Sequence, residues 1–161
     1  MRSKMLPLSA PWTDAREADA AADAVRKGWL AGMGPATGQL ERELAAVVGT
    51  SVLFVTSCTS ALEAAVTLAG AGHGDEVICP SFTFVSTANA IVRAGARPVL
   101  VDIDPGTLNI DPDLVERAIT PRTKAVILVH YAGRACDMDA FLRLGERHGV
   151  RIIEDAAHAF G

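Results

Sequence analysis

From residue 51 onward, short runs that are apolar throughout alternate with stretches of helix length, and this alternation most narrows what the chain can fold into. The runs are VLFVT (52–56), EVICP (76–80), PVLVDI (98–103), KAVILVH (124–130) and RIIED (151–155). A strand with one wet face alternates apolar and polar residues, whereas a run that is apolar throughout marks a strand buried on both faces. Helices are predicted between the runs, at 60–69, 84–94, 111–119 and 137–148. Strands and helices in strict alternation imply an α/β fold with a mostly parallel sheet and crossover helices. Ahead of them, 14–28 reads as an Ala-rich helix capped by Asp14 and stopped by Gly28, and 39–48 as a second helix closed by Gly49. The stretch GWLAGMGPATGQ (28–39) carries four glycines and a proline and reads as a loop.

The balance of residues excludes several classes of function. A net charge of −4 with no block of Lys and Arg argues against a nucleic-acid footprint. No apolar run approaches the roughly 20 residues that cross a membrane, and the opening MRSKMLPLSAPW has basic residues but no apolar core of a secretory signal. Cys58, Cys79 and Cys136 are odd in number and widely spaced, with neither a metal-binding C-x-x-C nor an even disulfide framework. The expectation is a soluble protein of a reducing cytoplasm, without membrane or nucleic-acid partners.

In parallel sheets ligands bind beyond the carboxyl ends of the strands, which directs attention to TSCTS (56–60), PSFTF (80–84), HYAG (130–133) and EDAAH (154–158). The first places four hydroxyls and a cysteine between a strand and a helix start, where free N–H groups and the helix dipole favour an anion such as phosphate. Ser60-x-x-Glu63 fits a self-sufficient capping box equally well. Phe82 and Phe84 could stack on a planar ligand, although filling the core between sheet and helix is the stronger reading of those two residues alone. Asp155 follows Ile152 and Ile153, so a partly desolvated carboxylate there calls for a cation or several donors. If the last residues are helical, His158 lies one turn on; Asp155 as a plain helix cap is the alternative, and two ligands alone make a weak metal site. GAGHG (70–74) follows a helix and precedes a strand, the reverse of a dinucleotide loop, and no G-x-G-x-x-G follows the first strand. A phosphate cradle, an aromatic face and a buried acid together suit pyridoxal 5'-phosphate, whose ring nitrogen an acid keeps protonated.

On these motifs the chain resembles the DegT/DnrJ/EryC1/StrS sugar aminotransferase family, of the fold type I class that depends on pyridoxal 5'-phosphate. The resemblance runs through GWLAGMGPATGQLERELAAVVG, TSCTSAL, GDEVICPSFTFVSTANAI, the long stretch from Gly95 to Gly133, and IIEDAAHAFG. Within the family it looks most similar to enzymes that aminate a UDP-linked 4-keto-pentose for cell-envelope polysaccharide. The resemblance implies a cytoplasmic homodimer that moves an amino group, usually from glutamate, to a nucleotide-linked keto-sugar through a pyridoxamine form of the cofactor. It assigns residues 1–50 to an N-terminal helical segment with a substrate-side loop, and 51–161 to the first part of the large cofactor-binding domain. It also places the phosphate on Cys58 and Thr59, with Ser60 adjoining. Phe84 becomes the ring-stacking aromatic, Asp155 the acid at the pyridine nitrogen, and His158 the polar residue near the phenolic oxygen. Cys58 stands where family members more often carry a smaller residue.

One expected part is missing. The lysine that binds the cofactor covalently lies, in the family, beyond EDAAHA and after a further strand, whereas this chain carries Lys4, Lys27 and Lys124. Lys124 opens a buried strand at the end away from the cleft, so no catalytic residue is assigned. The match runs unbroken to Gly161, and the expectation is an N-terminal part of the fold, inactive alone, in which 52–56 has no hydrogen-bonded neighbour. A sugar dehydratase of the same family, or a non-catalytic truncated product, are the alternatives.

Overall fold

Alternating side chains on a strand point to opposite faces, and in this chain both sets are apolar, so the sheet they form has to be covered on both sides. The computed structural model describes residues 11–160. The chain divides after Phe54 into two compact units.

The first unit holds helices α1 (Ala15–Arg26) and α2 (Pro35–Val48). Asp14 caps α1 through a reciprocal box with Glu17, and Gly28 follows its end at φ +71°. The second helix begins four residues before the sequence-based start at 39. Pro35 occupies the first helical position, where its missing N–H is no loss and its fixed φ suits the helix, so five of the twelve residues of the glycine-rich stretch are helical. Gly34 is the cap, and a β-carbon there would run into the indole of Trp29.

The second unit contains α3 (Cys58–Leu68), β1 (Glu76–Pro80), α4 (Ser86–Arg93), β2 (Arg97–Val101), α5 (Pro112–Ala118), β3 (Thr123–Val129), α6 (Met138–His148) and β4 (Arg151–Asp155). The four strands are parallel in the order β2-β1-β3-β4. Val77, Cys79, Ala125 and Ile127 face α3 and α4, meeting Leu62, Val66, Ala90 and Ile91. Ile78, Val126 and Leu128 face α5 and α6, meeting Val115, Phe141 and Leu144. The α/β fold with a mostly parallel sheet is therefore as expected.

Residues 52–56 depart from the expectation of a strand. They belong to no strand, and Leu53 and Phe54 are mostly exposed. A strand exists by virtue of its ladder, and 52–56 pairs with neither open edge of the sheet, β2 nor β4, so the expectation that this run lacks a hydrogen-bonded neighbour is met. The readings of residues 1–10, Lys4 included, lie outside the described residues.

At the amino ends of the strands a buried carboxylate ties three segments together. Glu76 is 1% exposed; its Oε1 accepts from Arg97 Nη2 at 2.6 Å and from Arg122 Nη2 at 2.6 Å, and its Oε2 accepts from Thr120 Oγ1 at 2.7 Å. The hydrogen bonds from Arg97, Thr120 and Arg122 hold its carboxyl at about 2, against an ordinary 4.5. A carboxyl depressed in the folded state contributes stability that is complete above the unfolded value and is lost as pH falls through the folded one. Because the two guanidiniums are 65% and 63% exposed, solvent screening trims the effect. A loss of about 2 kcal/mol is expected as pH falls from 4.5 toward about 2. Urea titrations across that window check it: Glu76→Gln should lack this part of the acid dependence.

Candidate functional site

Strand ends in a parallel sheet all point one way, and the turns that leave β1, β3 and β4 meet around one cavity. It measures about 220 Å³ and lies among Cys58 and Thr59 of α3, Thr83 and Phe84 after β1, His130 and Tyr131 after β3, and Asp155 and His158 at the end of β4. That is below the roughly 300–1,000 Å³ of drug-sized sites, a size for one small ring and its substituents.

The start of α3 forms one wall. Its cap is Ser57, whose Oγ accepts from Ser60 N–H at 3.1 Å, so the helix starts before the predicted 60 and the expected capping box at Ser60 and Glu63 does not form. Glu63 instead pairs with Arg93 at 3.0 Å. The first intrahelical bond runs from Ala61 N–H to the Ser57 carbonyl. The N–H groups of Cys58 and Thr59 precede it and have no acceptor within the helix, so they are left, with the positive end of the helix dipole, for an external anion. Ser60 does not line the cavity; its hydroxyl turns to those of Ser57 and Thr56, at 3.1 and 3.3 Å.

Asp155 ends β4 with 8% of its surface exposed. Its Oδ1 accepts from Ala157 N–H at 3.1 Å and from the Cys58 thiol at 3.5 Å. Both donors use the same oxygen, which orients the carboxylate and leaves Oδ2 without a protein partner among the described residues. Burial, then the negative charge of Asp155 and the hydrogen bond to it, push the Cys58 thiol up. The thiol therefore stays protonated near neutrality and remains a donor to the acid.

Residues 156–159 form a turn closed by Ala159 N–H on the Ala156 carbonyl at 2.9 Å, not the helix that the sequence allowed. His158 nonetheless reaches the cavity, with its ring edge-on to Tyr131 at 6.3 Å. Neither Phe82 nor Phe84 fills the core: they are 45% and 73% exposed. Phe84 lines the cavity, and Phe82 packs against Tyr131 with ring centroids 4.8 Å apart.

Sequence reasoning drew attention to HYAG but assigned its residues no role. His130 is buried, and its Nδ1 accepts from Cys136 N–H at 3.1 Å, which puts the ring proton on Nε2, facing Glu154 Oε2 at 3.0 Å. A basic residue type directly after a buried strand was the available signal; its partners, six and 24 residues away, were not readable. No lysine is among the described residues that line the cavity. Lys124 lies near the start of β3, at the opposite end of the sheet, 3.7 Å from Asp75.

Cys79 and Cys136 are buried, with thiols pushed up to about 11 chiefly by burial, whereas Cys58 is exposed. One equivalent of N-ethylmaleimide is therefore expected to add to the native protein, at Cys58, and three to the unfolded chain. Peptide mass mapping checks this, and rapid native labelling at Cys79 or Cys136 would contradict the packing.

Comparison with known proteins agrees with the geometry. The profile of the DegT/DnrJ/EryC1/StrS aminotransferase family matches residues 11–161. The spore coat polysaccharide biosynthesis protein SpsC of Bacillus subtilis is 49% identical over 98% of this chain and 41% of its own length. The structure of 3-amino-5-hydroxybenzoic acid synthase superposes with a TM-score of 0.88 at 44% identity, over 94% of this chain and 40% of that one. Spr1654 of Streptococcus pneumoniae, described as a sugar aminotransferase and solved in PLP and PMP forms, is 35% identical. Its PLP form superposes with a TM-score of 0.90 over 97% of this chain and 44% of that one. The chain thus spans about two-fifths of the length of the relatives it matches. With the motifs, the fold and these relatives in agreement, the chain belongs to the DegT/DnrJ/EryC1/StrS aminotransferase family.

Proposed function

We propose that the cavity is a pyridoxal 5'-phosphate site, and that the chain is the cofactor-holding part of an aminotransferase acting on nucleotide-linked keto-sugars. The observation that carries this reading is that one cavity brings together free helix-start amides, an aromatic face and an oriented buried acid. The residues fit the cofactor. Cys58 and Thr59 would hold its phosphate through their N–H groups, with Ser60 buttressing the turn from behind. Phe84 would cover a face of the ring, Asp155 Oδ2 would hold a proton at the pyridine nitrogen, and His158 would approach the phenolic oxygen. Bound there, the cofactor supplies an electron sink for cleaving a bond to hydrogen at the carbon that carries nitrogen.

The residues present bind, orient and protonate, but none of those lining the cavity offers the amine that holds this cofactor covalently or shuttles a proton at the substrate carbon. The 161-residue chain alone is therefore read as inactive. Glutamate as donor, a UDP-linked 4-keto-pentose as acceptor, a homodimeric cytoplasmic enzyme and a substrate-side role for the loop within 28–39 complete the reading. They are supported by the family and by the polysaccharide role in the name of SpsC.

A direct test incubates the cofactor, glutamate and a UDP-linked 4-keto-pentose with the chain alone and with a longer polypeptide that adds a lysine-bearing family segment. The longer form should release 2-oxoglutarate and an amino-sugar in equal amounts, and the chain alone neither. Amino transfer by the 161 residues alone would overturn the reading of inactivity. A deoxygenated, unaminated sugar from the longer form would assign the dehydratase chemistry instead.

A further inference from the structure

The cavity wall made by Tyr131 and His158 is held from outside by a residue that does not line it. Between β2 and α5 the chain ties itself into a tight loop. Asp104 Oδ1 accepts from the N–H groups of Gly106 and Thr107 at 2.7 and 2.9 Å, and the Asp104 carbonyl accepts from Leu108 N–H at 2.7 Å. Leu108 takes a left-handed φ of +61°, uncommon for a residue with a β-carbon, and Asn109 follows it into the interior with 5% of its surface exposed.

Asn109 then spends three of its four side-chain hydrogen-bonding positions on one neighbouring loop. Its Oδ1 accepts from Tyr131 N–H at 3.1 Å, and its Nδ2 donates to the carbonyls of Arg134 and Ala135 at 3.0 and 3.1 Å. Arg134 returns a bond from Nη1 to the Gly106 carbonyl at 3.1 Å. The loop so held is itself unusual. Ala132 has φ +52° and Gly133 φ +84°, and a β-carbon on Gly133 would lie 3.0 Å from the carbonyl oxygen of His158. The loop backbone therefore presses against the His158 backbone, while the Tyr131 ring meets that of His158. Non-glycine left-handed residues persist where surrounding bonds over-determine them. Within the loop Gly133 N–H donates to the His130 carbonyl at 3.1 Å and Arg134 N–H to the Tyr131 carbonyl at 3.0 Å, and Asn109 adds three bonds from outside.

We propose that Asn109 is a positioning residue: it fixes the 131–135 loop, and through Gly133 and Tyr131 it sets where His158 stands in the cavity. The consequence for the cofactor rests on the function proposed above; the positioning itself does not.

Tyr131 is the single tyrosine of the chain, so its ring gives one tyrosine signal set by NMR and reports on its neighbours without ambiguity. In Asn109→Ala, amide exchange in β1 and β3 should match the parent, while the Tyr131–His158 ring NOEs vanish. The Kd for pyridoxamine 5'-phosphate should rise about five- to tenfold, the scale of one or two lost hydrogen bonds. Gly133→Ala, with Asn109 intact, should displace the same two ring signals from the opposite side. Should Asn109→Ala not fold, Asn109→Ser, which retains one donor and one acceptor, is read in the same way with a smaller change. Unchanged Tyr131–His158 NOEs in a folded Asn109 variant would overturn the inference. Failure of the parent chain to bind pyridoxamine 5'-phosphate would instead overturn the cofactor reading, and leaves the NOE test of positioning intact.

Discussion

Asp155→Asn is expected to weaken the binding of pyridoxamine 5'-phosphate by about ten- to a hundredfold, the scale of one charge-assisted hydrogen bond. The substitution separates the two jobs that the sequence left open for this residue. The amide oxygen of Asn can still accept from Ala157 N–H and the Cys58 thiol, as Oδ1 does in the parent, so the 156–159 turn and the docking of β4 should persist. What is lost is the negative charge on the oxygen left without a protein partner, and with it, on the proposed function, the preference for a protonated ring nitrogen. Fluorescence titration with the pyridoxamine form measures the affinity and does not depend on a lysine. An unchanged Kd would mean that Asp155 merely caps the turn. Phe84→Ala should cost less, because a largely exposed ring contributes stacking area and no charge.

The largest effect on stability is expected at Phe141. It is the largest fully buried side chain among the described residues, set on α6 against Ile78, Val126 and Leu128 of the sheet. Phe141→Ala should lower the unfolding free energy of the second unit by about 3–5 kcal/mol, because the cavity left behind adds to the lost transfer energy. Against a typical domain stability of about 5–15 kcal/mol, that leaves a marginal fold. Urea denaturation followed by far-UV circular dichroism checks it. A loss under about 1 kcal/mol would show that α6 is not docked on the sheet as described. The effect on cofactor binding should be indirect, since Phe141 lies on the sheet face away from α3 and is not in the cavity wall.

Much of the second unit was legible because its signals are local. Runs such as EVICP and RIIED carry their own strand evidence, and both strands have the bounds read from the sequence. The covering of both sheet faces followed from the same runs. The departures share a physical cause, that an element or a cap is decided by partners. Residues 52–56 have the composition of a strand but pair with neither edge of the sheet. Ser57 displaced Ser60 as the cap of α3 because the helix could start as soon as one hydroxyl reached the third amide, and a window of sequence does not say which of four hydroxyls gets there first. Phe82 and Phe84 read as core because aromatic side chains usually are, yet both follow the strand into an exposed turn, where Phe84 lines the cavity and Phe82 packs on Tyr131.

The candidate site was legible as a set of residues that meet in space, and less so in its arrangement. Cys58, Thr59, Phe84, Asp155 and His158 meet around one cavity, while Ser60 stands behind the first turn. The thiol bond from Cys58 to Asp155 spans 97 residues of sequence, and the Asn109 bonds to the 131–135 loop span more than 20. Such ties arise from the order in which the strands are laid side by side, so a list of residue types along the chain does not contain them. The same holds for His130, whose ring proton is placed by a backbone N–H and not by a neighbour in sequence.

The central claim is that the cavity at the strand ends holds a phosphorylated pyridine ring through helix-start amides and one acid. Parallel titrations of the chain with pyridoxamine 5'-phosphate and with pyridoxamine test it most directly, since the two ligands differ in the phosphate alone. The account predicts saturable one-to-one binding of the phosphorylated form, with a preference of about thirtyfold or more over the unphosphorylated one, the scale of one or two charge-assisted hydrogen bonds. Equal affinity for the two ligands, or no saturable binding of either, would contradict it.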